Sequence, residues 1–199
     1  MPRRADAAAA TLAVLLFWIG ILTAGAQVSG YSATDDYISN LASRRSPVGV
    51  LALAALLASA AAHVVTARLI RERSRVLAAF LLAAAAATVC IAAFRQSCPG
   101  GPAGCSRAGA PNDWIDAAHT LGVAAYQVLV VAAMLTVAFG ALRRTGAWPS
   151  RLGLLSVGFV VGSMVLLSLT GADDPGLWQR LWVANNLTWL LVVAWVAAA

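Results

Sequence analysis

The sequence predicts an all-α fold: a six-helix transmembrane bundle with a short interfacial helix in its first outer loop. Three observations predict it. The 199 residues are 61% hydrophobic and only 11% charged, with mean hydropathy +0.80, whereas water-soluble domains carry roughly 45–50% apolar and ~25% charged residues. Six windows, about 7–26, 47–68, 76–94, 116–142, 151–170 and 175–198, supply the ~20 apolar residues a helix needs to cross about 30 Å of hydrocarbon. Arginine gathers at one end of those windows. No solenoid repeat, long linker or soluble domain interrupts them, so 1–199 reads as one integral membrane domain.

The first window has a basic start and a small-residue AGA near its end, as a secretory signal does. Its apolar core is longer than the ~7–15 residues of such a signal, so a retained span is expected. Pro2, Pro47, Pro99, Pro102, Pro111, Pro149 and Pro175 all fall outside helix interiors, where a missing amide hydrogen and a ring clash would break the helix. Ser46–Pro47 and Asp174–Pro175 read as cap and first residue of the second and sixth spans. Cys90, inside the third span, reads as a packing residue. In the fifth, Gly158 and Gly162 form a G-x-x-x-G face suited to close helix contact within the chain. Trp114, Trp178 and Trp182 at one boundary and Trp148 at the other read as interface belts.

All fourteen basic residues are arginine, and with the alanine excess this reads as the codon bias of a GC-rich bacterium rather than as a nucleic-acid signal. With the N-terminus inside, the inner segments hold nine arginines (3, 4, 68, 71, 73, 75, 143, 144 and 151) against Asp6 and Glu72, a balance of +7. The outer segments hold Arg44, Arg45, Arg95, Arg107 and Arg180 against six aspartates, a balance of −1. Positive residues favour the cytoplasmic side. The expectation is a bacterial cytoplasmic-membrane protein with both termini inside.

The first outer loop, YSATDDYISNLASRRSP, carries two acids among small polar residues. Thr34 is placed to cap a short helix with Asp35 and Asp36 in its first turn, where the helix dipole favours negative charge. Tyr37, Ile38 and Leu41 then share one face and Asp36 and Asn40 another, as in a helix lying on the membrane surface or tucked over the bundle. The pattern Y-S-x-x-x-D-x-I-S-x-L-A directly after a first span resembles the signature of the domain of unknown function 998 family, small polytopic membrane proteins of bacteria and archaea. Cys98 and Cys105 in an outer loop, His119 opening the fourth span, and Gly176-Leu177 with Gln179-Arg180-Leu181 agree with it. Where that pattern places an acid after the third span, this sequence has Arg95-Gln96. The resemblance implies a fold and no activity.

Cys98 and Cys105 enclose only PGGPAG, and an oxidising exterior permits a disulfide between them; zinc is the rival, but two cysteines without a second ligand pair make a weak site. Asp113, Asp116 and His119 follow at spacing three, on adjoining parts of one helix face that Tyr126 continues inward. His119 is read either as satisfied by Asp116 or as the polar group of an outward pocket. Arg180 is read as paired with Asp35/Asp36 or Asp173/Asp174, or as an anion binder, and Arg95 is open to the same two readings.

The candidate ligand-binding set is therefore Asp35, Asp36, Ser39, Arg95, Asp116, His119 and Arg180. No catalytic set is recognisable and no cofactor or metal is assigned. The first functional reading is a membrane protein whose outer polar cluster binds a lipid head group or small solute, or serves as an accessory subunit. A small transporter is the alternative, suggested by His63, Gln127, Asn185 and Asn186 within the spans. A membrane-embedded metal-dependent hydrolase is the third, confined to His119 with nearby aspartates because His63 lies far below. Oligomeric state is open.

Overall fold

The computed structural model describes residues 2–98, 101–105, 113–143 and 148–199. Arg107 and Arg144, counted in the charge balance, lie outside the described residues, as do Pro99 and Pro111. Seven helices follow one another: α1 (Pro2–Ala26), α2 (Ile38–Leu41), α3 (Gly49–Ile70), α4 (Arg75–Ala93), α5 (Trp114–Leu142), α6 (Ser150–Leu169) and α7 (Pro175–Ala198). All except α2 are long and apolar enough to span a membrane. Among the described residues there are no strands.

Each long helix packs on its successor, α1 on α3 and so on to α7, which returns against α1 and α3. Alanine and glycine set how closely the axes approach. A Cβ at Gly20 would stand 2.8 Å from the Ala55 Cβ, so α1 and α3 meet nearly backbone to backbone; without water to expel, such small-residue contacts drive helix association. Leu12, Leu15, Ile19 and Leu22 of α1 and Leu154, Val161 and Val165 of α6 face outward, as a lipid solvent allows.

Cross-links between loops identify the two ends. Arg3 pairs with Glu72, and Arg73 donates to the Val196 carbonyl at 3.3 Å with its guanidinium 5.9 Å from the Trp148 ring; these lie at the end holding both termini. At the other end sits α2, with the segments after α1, α4 and α6.

Several local expectations are corrected. α3 starts at Gly49, not Pro47, and its N-cap Val48 makes no side-chain cap bond; Pro47 belongs to the preceding turn and the Ser46 hydroxyl is buried without a partner. Pro175 does open α7, but Asp174 adopts a left-handed conformation (φ 57°) and its side chain caps nothing. Cys90 is exposed on α4 rather than packed. Trp148 and Trp182 are buried, while Trp114 alone of the four is largely exposed, at 71%. Gly162 abuts Asn185, yet Gly158 has open space where a Cβ would stand.

Candidate functional site

Three loops converge on α2, and their polar groups are spent largely on one another. Asp36, only 2% exposed, accepts the amides of Ser32 (2.9 Å) and Gly104 (2.6 Å) on its two carboxylate oxygens. Its carboxylate therefore holds a turn instead of sitting in a helix's first turn. Thr34, expected to cap, instead hydrogen-bonds with the Ser32 hydroxyl (2.9 Å) and Asp35 (3.2 Å), and α2 is reduced to Ile38–Leu41 with Tyr37 at its N-cap. Ile38, Leu41 and also Asn40 are buried, so α2 is tucked over the bundle with the cysteine loop above it.

Arg180 forms no pair with the carboxylates expected. Its Nη1 donates to the carbonyls of Asp36 (2.8 Å) and Gly176 (2.9 Å), and its Nη2 to the Tyr31 hydroxyl (2.6 Å). Burial pushes the Tyr31 phenol above its ordinary 10.0, with Arg180 opposing. A Cβ at Gly176 would overlap the Asp36 backbone, so only glycine lets α7 start this close. The Gln179 side-chain carbonyl then accepts the Ile38 amide at 2.6 Å, the Tyr37 hydroxyl donates to Thr170 O at 2.8 Å, and the Leu177 amide donates to Thr34 O at 2.9 Å.

Arg95 behaves alike, donating to the carbonyls of Ala42 (2.7 Å) and Ser43 just past α2. A turn carbonyl has a lone pair to spare for a second donor, and a guanidinium with five donors meets several at once. The Cys98–Cys105 disulfide is present, with Cα atoms 5.6 Å apart. Its loop is tied to α2 by Gln96 Nε2 to Asn40 Oδ1 (2.6 Å) and Asn40 Nδ2 to Pro102 O (3.2 Å).

Asp113 is the N-cap of α5, accepting the Ile115 and Asp116 amides at 2.9 Å. That Asp116 amide first, and Arg44 second, hold its carboxyl below the ordinary 3.8. Arg44 Nη2 bridges Asp113 (2.6 Å) and Asp116 (2.9 Å), and Ser97 donates to Asp116 through its amide at 2.7 Å and through its hydroxyl. His119 is satisfied not by Asp116 but by the Ile91 and Phe94 carbonyls, which share its Nδ1 hydrogen at 3.2 and 2.9 Å. Among the described residues no three His, Cys, Asp or Glu side chains gather as a metal site.

The structure thus brings all seven candidates to one end, where six build a cap and Ser39 lines what the cap covers. Beneath α2 lies a cavity of about 60 Å³. Its walls are apolar side chains such as Phe17, Leu56, Ile91 and Val123, interrupted by Ser39, Ser59, Thr88, Tyr126, Gln179 and Trp182. Among the described residues no charged side chain lines it. Ser59 lies ten residues into α3 and Tyr126 twelve into α5, so the floor is ~15–18 Å below the helix starts at 1.5 Å per residue.

Among the described residues, the hydroxyls of Ser39 and Ser59 and the Gln179 amide nitrogen have no hydrogen-bond partner. Below, His63 Nδ1 donates to Ser59 O at 2.8 Å, leaving Nε2 as the acceptor 3.5 Å from the Tyr126 hydroxyl. Trp182 Nε1 donates to Gln127 Oε1 at 2.8 Å, and the Ser163 hydroxyl lies 2.7 Å from Asn186 Oδ1. Sequence reading missed Ser59 and Gln179 as wall residues. One signal was present: Ser59, His63 and Thr66 stand at i, i+4 and i+7, a polar stripe on a helix that is apolar up to Arg68 in its last turn.

The family model described as "Protein of unknown function (DUF998)" matches residues 11–196. No curated protein and no solved structure matches the chain.

Proposed function

The chain belongs to the DUF998 family, proteins of unknown function, and we propose that this multi-pass membrane protein binds a small uncharged molecule beneath a polar cap that faces out of the cytoplasm. The observation that carries the reading is the cavity with unpartnered Ser39, Ser59 and Gln179 groups in its wall. Ser59 is buried and Ser39 and Gln179 are half-buried, so a guest offering a hydroxyl, carbonyl or amide gains a net hydrogen bond worth about 0.5–1.5 kcal/mol at each contact. Neutrality follows from the wall: a charge carried there would be desolvated with no counter-ion. The arginine bias toward the terminal end supports the outward orientation of the cap.

The test is native mass spectrometry, with organic extraction, of protein purified in mild detergent. Wild type is expected to retain a small neutral compound that Ser59→Leu, which fills the cavity, releases without loss of helicity. If neither form carries any compound, the binding reading fails.

A transporter is the second reading, favoured by the stripe Ser59, His63 and Thr66, all buried, running from the cavity floor toward the terminal end of α3. Proteoliposome uptake of the retained compound above empty vesicles separates it from binding alone.

A further inference from the structure

A second concavity at the α2 end, separate from the cavity beneath α2, has the opposite chemistry. It measures about 150 Å³ and is lined by Arg44, Arg45, Ser97 and Cys98. The two guanidiniums in its wall are in different states. Arg44 reaches both of its aspartates through Nη2 alone, so among the described residues its Nε and Nη1 hydrogens have no partner while the pair holds the side chain still. Arg45 is exposed and has no hydrogen-bond or ion-pair partner among the described residues.

Like charges on consecutive residues repel, and an anion held between them relieves that repulsion. The disulfide at Cys98 and the bond from the Arg44 amide to the Gln96 carbonyl (3.1 Å) fix the pocket's other wall against Arg44. We propose that this pocket binds a phosphate group, held between the free edge of Arg44 and the guanidinium of Arg45.

The geometry fits that chemistry. Guanidinium edges present paired donors that match phosphate oxygens, and one pre-positioned arginine lowers the ordering cost of the second. Arg45 lies four residues before α3 begins and Ser97 four residues after α4 ends, which puts the pocket at the depth of phospholipid head groups. Asp113 and Asp116 balance the charges of Arg44 and Arg45, so the pocket suits a singly charged phosphodiester or phosphate monoanion better than a polyanion. The phosphate has two sources, a phospholipid head group or the free ion.

The experiment uses the full chain in detergent, titrated with phosphatidylglycerol or with inorganic phosphate and read by native mass spectrometry. Arg45→Gln is compared with Arg4→Gln, an exposed arginine at the terminal end. Arg45→Gln should weaken phosphatidylglycerol retention about tenfold, the scale of one charge-assisted contact, while Arg4→Gln leaves it unchanged. If millimolar inorganic phosphate displaces the lipid in wild type but not from Arg45→Gln, the free ion shares the pocket; if it does not, the lipid is the source. Equal retention by wild type and Arg45→Gln overturns the proposal. Equal losses in both variants overturn it too, since they would reflect surface charge in general.

Discussion

The carboxylate of Asp36 accepts the amide of Gly104 at 2.6 Å across 68 residues of sequence. This bond joins the first loop to the disulfide loop, and the same residue's carbonyl receives Arg180 from α7. One residue therefore ties three segments of the cap. Asp36→Asn keeps its size but can turn a donor toward the Ser32 or Gly104 amide. With one buried amide unsatisfied, the loss should be about 1–3 kcal/mol, read as a lower thermal midpoint in detergent. An unchanged midpoint would mean the cap is not held through this residue.

Two glycines offer a contrast within one measurement. Gly176→Ala drives a methyl into the Asp36 backbone, whereas Gly158→Ala meets nothing within 4 Å. The first should lower the thermal midpoint and the second leave it level or raise it slightly, since alanine is favoured over glycine in a helix by roughly 0.5–1 kcal/mol. Equal effects would show that the close approach of α7 to the first loop is not a constraint.

The disulfide closes a short ring, with a sequence separation of 7. Chain-entropy reasoning gives such a ring about 2.5 kcal/mol. Dithiothreitol should therefore lower the midpoint of wild type and leave Cys98→Ser/Cys105→Ser unaffected. A reductant effect that persists in the double variant would point to Cys90 instead.

Spans were legible because hydrophobic length is a property of consecutive residues and needs no partner. The short helix over the bundle was legible for a similar reason, in its Ile38 and Leu41 spacing. Partners were not. Arg95 and Arg180 look in sequence as though they seek carboxylates, yet folding brings them to backbone carbonyls instead, those of Ala42, Ser43 and Asp36 in the first loop and of Gly176 in the first turn of α7. Thr34 and Ser46 resemble caps locally, but Asp36 and the Ser43–Ser46 turn win those positions through bonds that exist only in the folded cap. The approach of His63 to Tyr126 joins residues 63 apart in sequence. Spacing along either helix cannot reveal it.

Acid should act on the Arg44 latch at a defined point. The Asp113 carboxyl is depressed below its ordinary 3.8 by the Asp116 amide and by Arg44. A depressed acid contributes stability above its unfolded value and loses it as pH falls through the folded one. The stability gap between wild type and Asp113→Asn should thus stay constant from pH 7 to about 4 and shrink only below that. Asparagine still accepts the Ile115 and Asp116 amides, so the gap isolates the charge. A gap that shrinks between pH 7 and 5 would contradict the assignment.

Within the bundle, Gln127 decides whether Trp182 can be buried. Trp182 is 4% exposed and gives its indole hydrogen to Gln127 Oε1 at 2.8 Å, while its ring meets Tyr126 edge-on at 5.9 Å. Gln127→Leu leaves that hydrogen facing hydrocarbon, a loss of about 1–2 kcal/mol for one hydrogen bond between membrane helices. Trp182→Phe removes the donor instead, at the expense of ring area. If the bond is what couples the two residues, the double variant should be more stable than the sum of the singles predicts, because an apolar pair leaves no orphaned donor. Thermal midpoints of the four proteins measure that coupling directly. Strict additivity would mean that Trp182 is held by packing alone, and that Gln127 serves its other contacts, the Ser163 hydroxyl at 3.1 Å and Met164 Sδ at 3.4 Å.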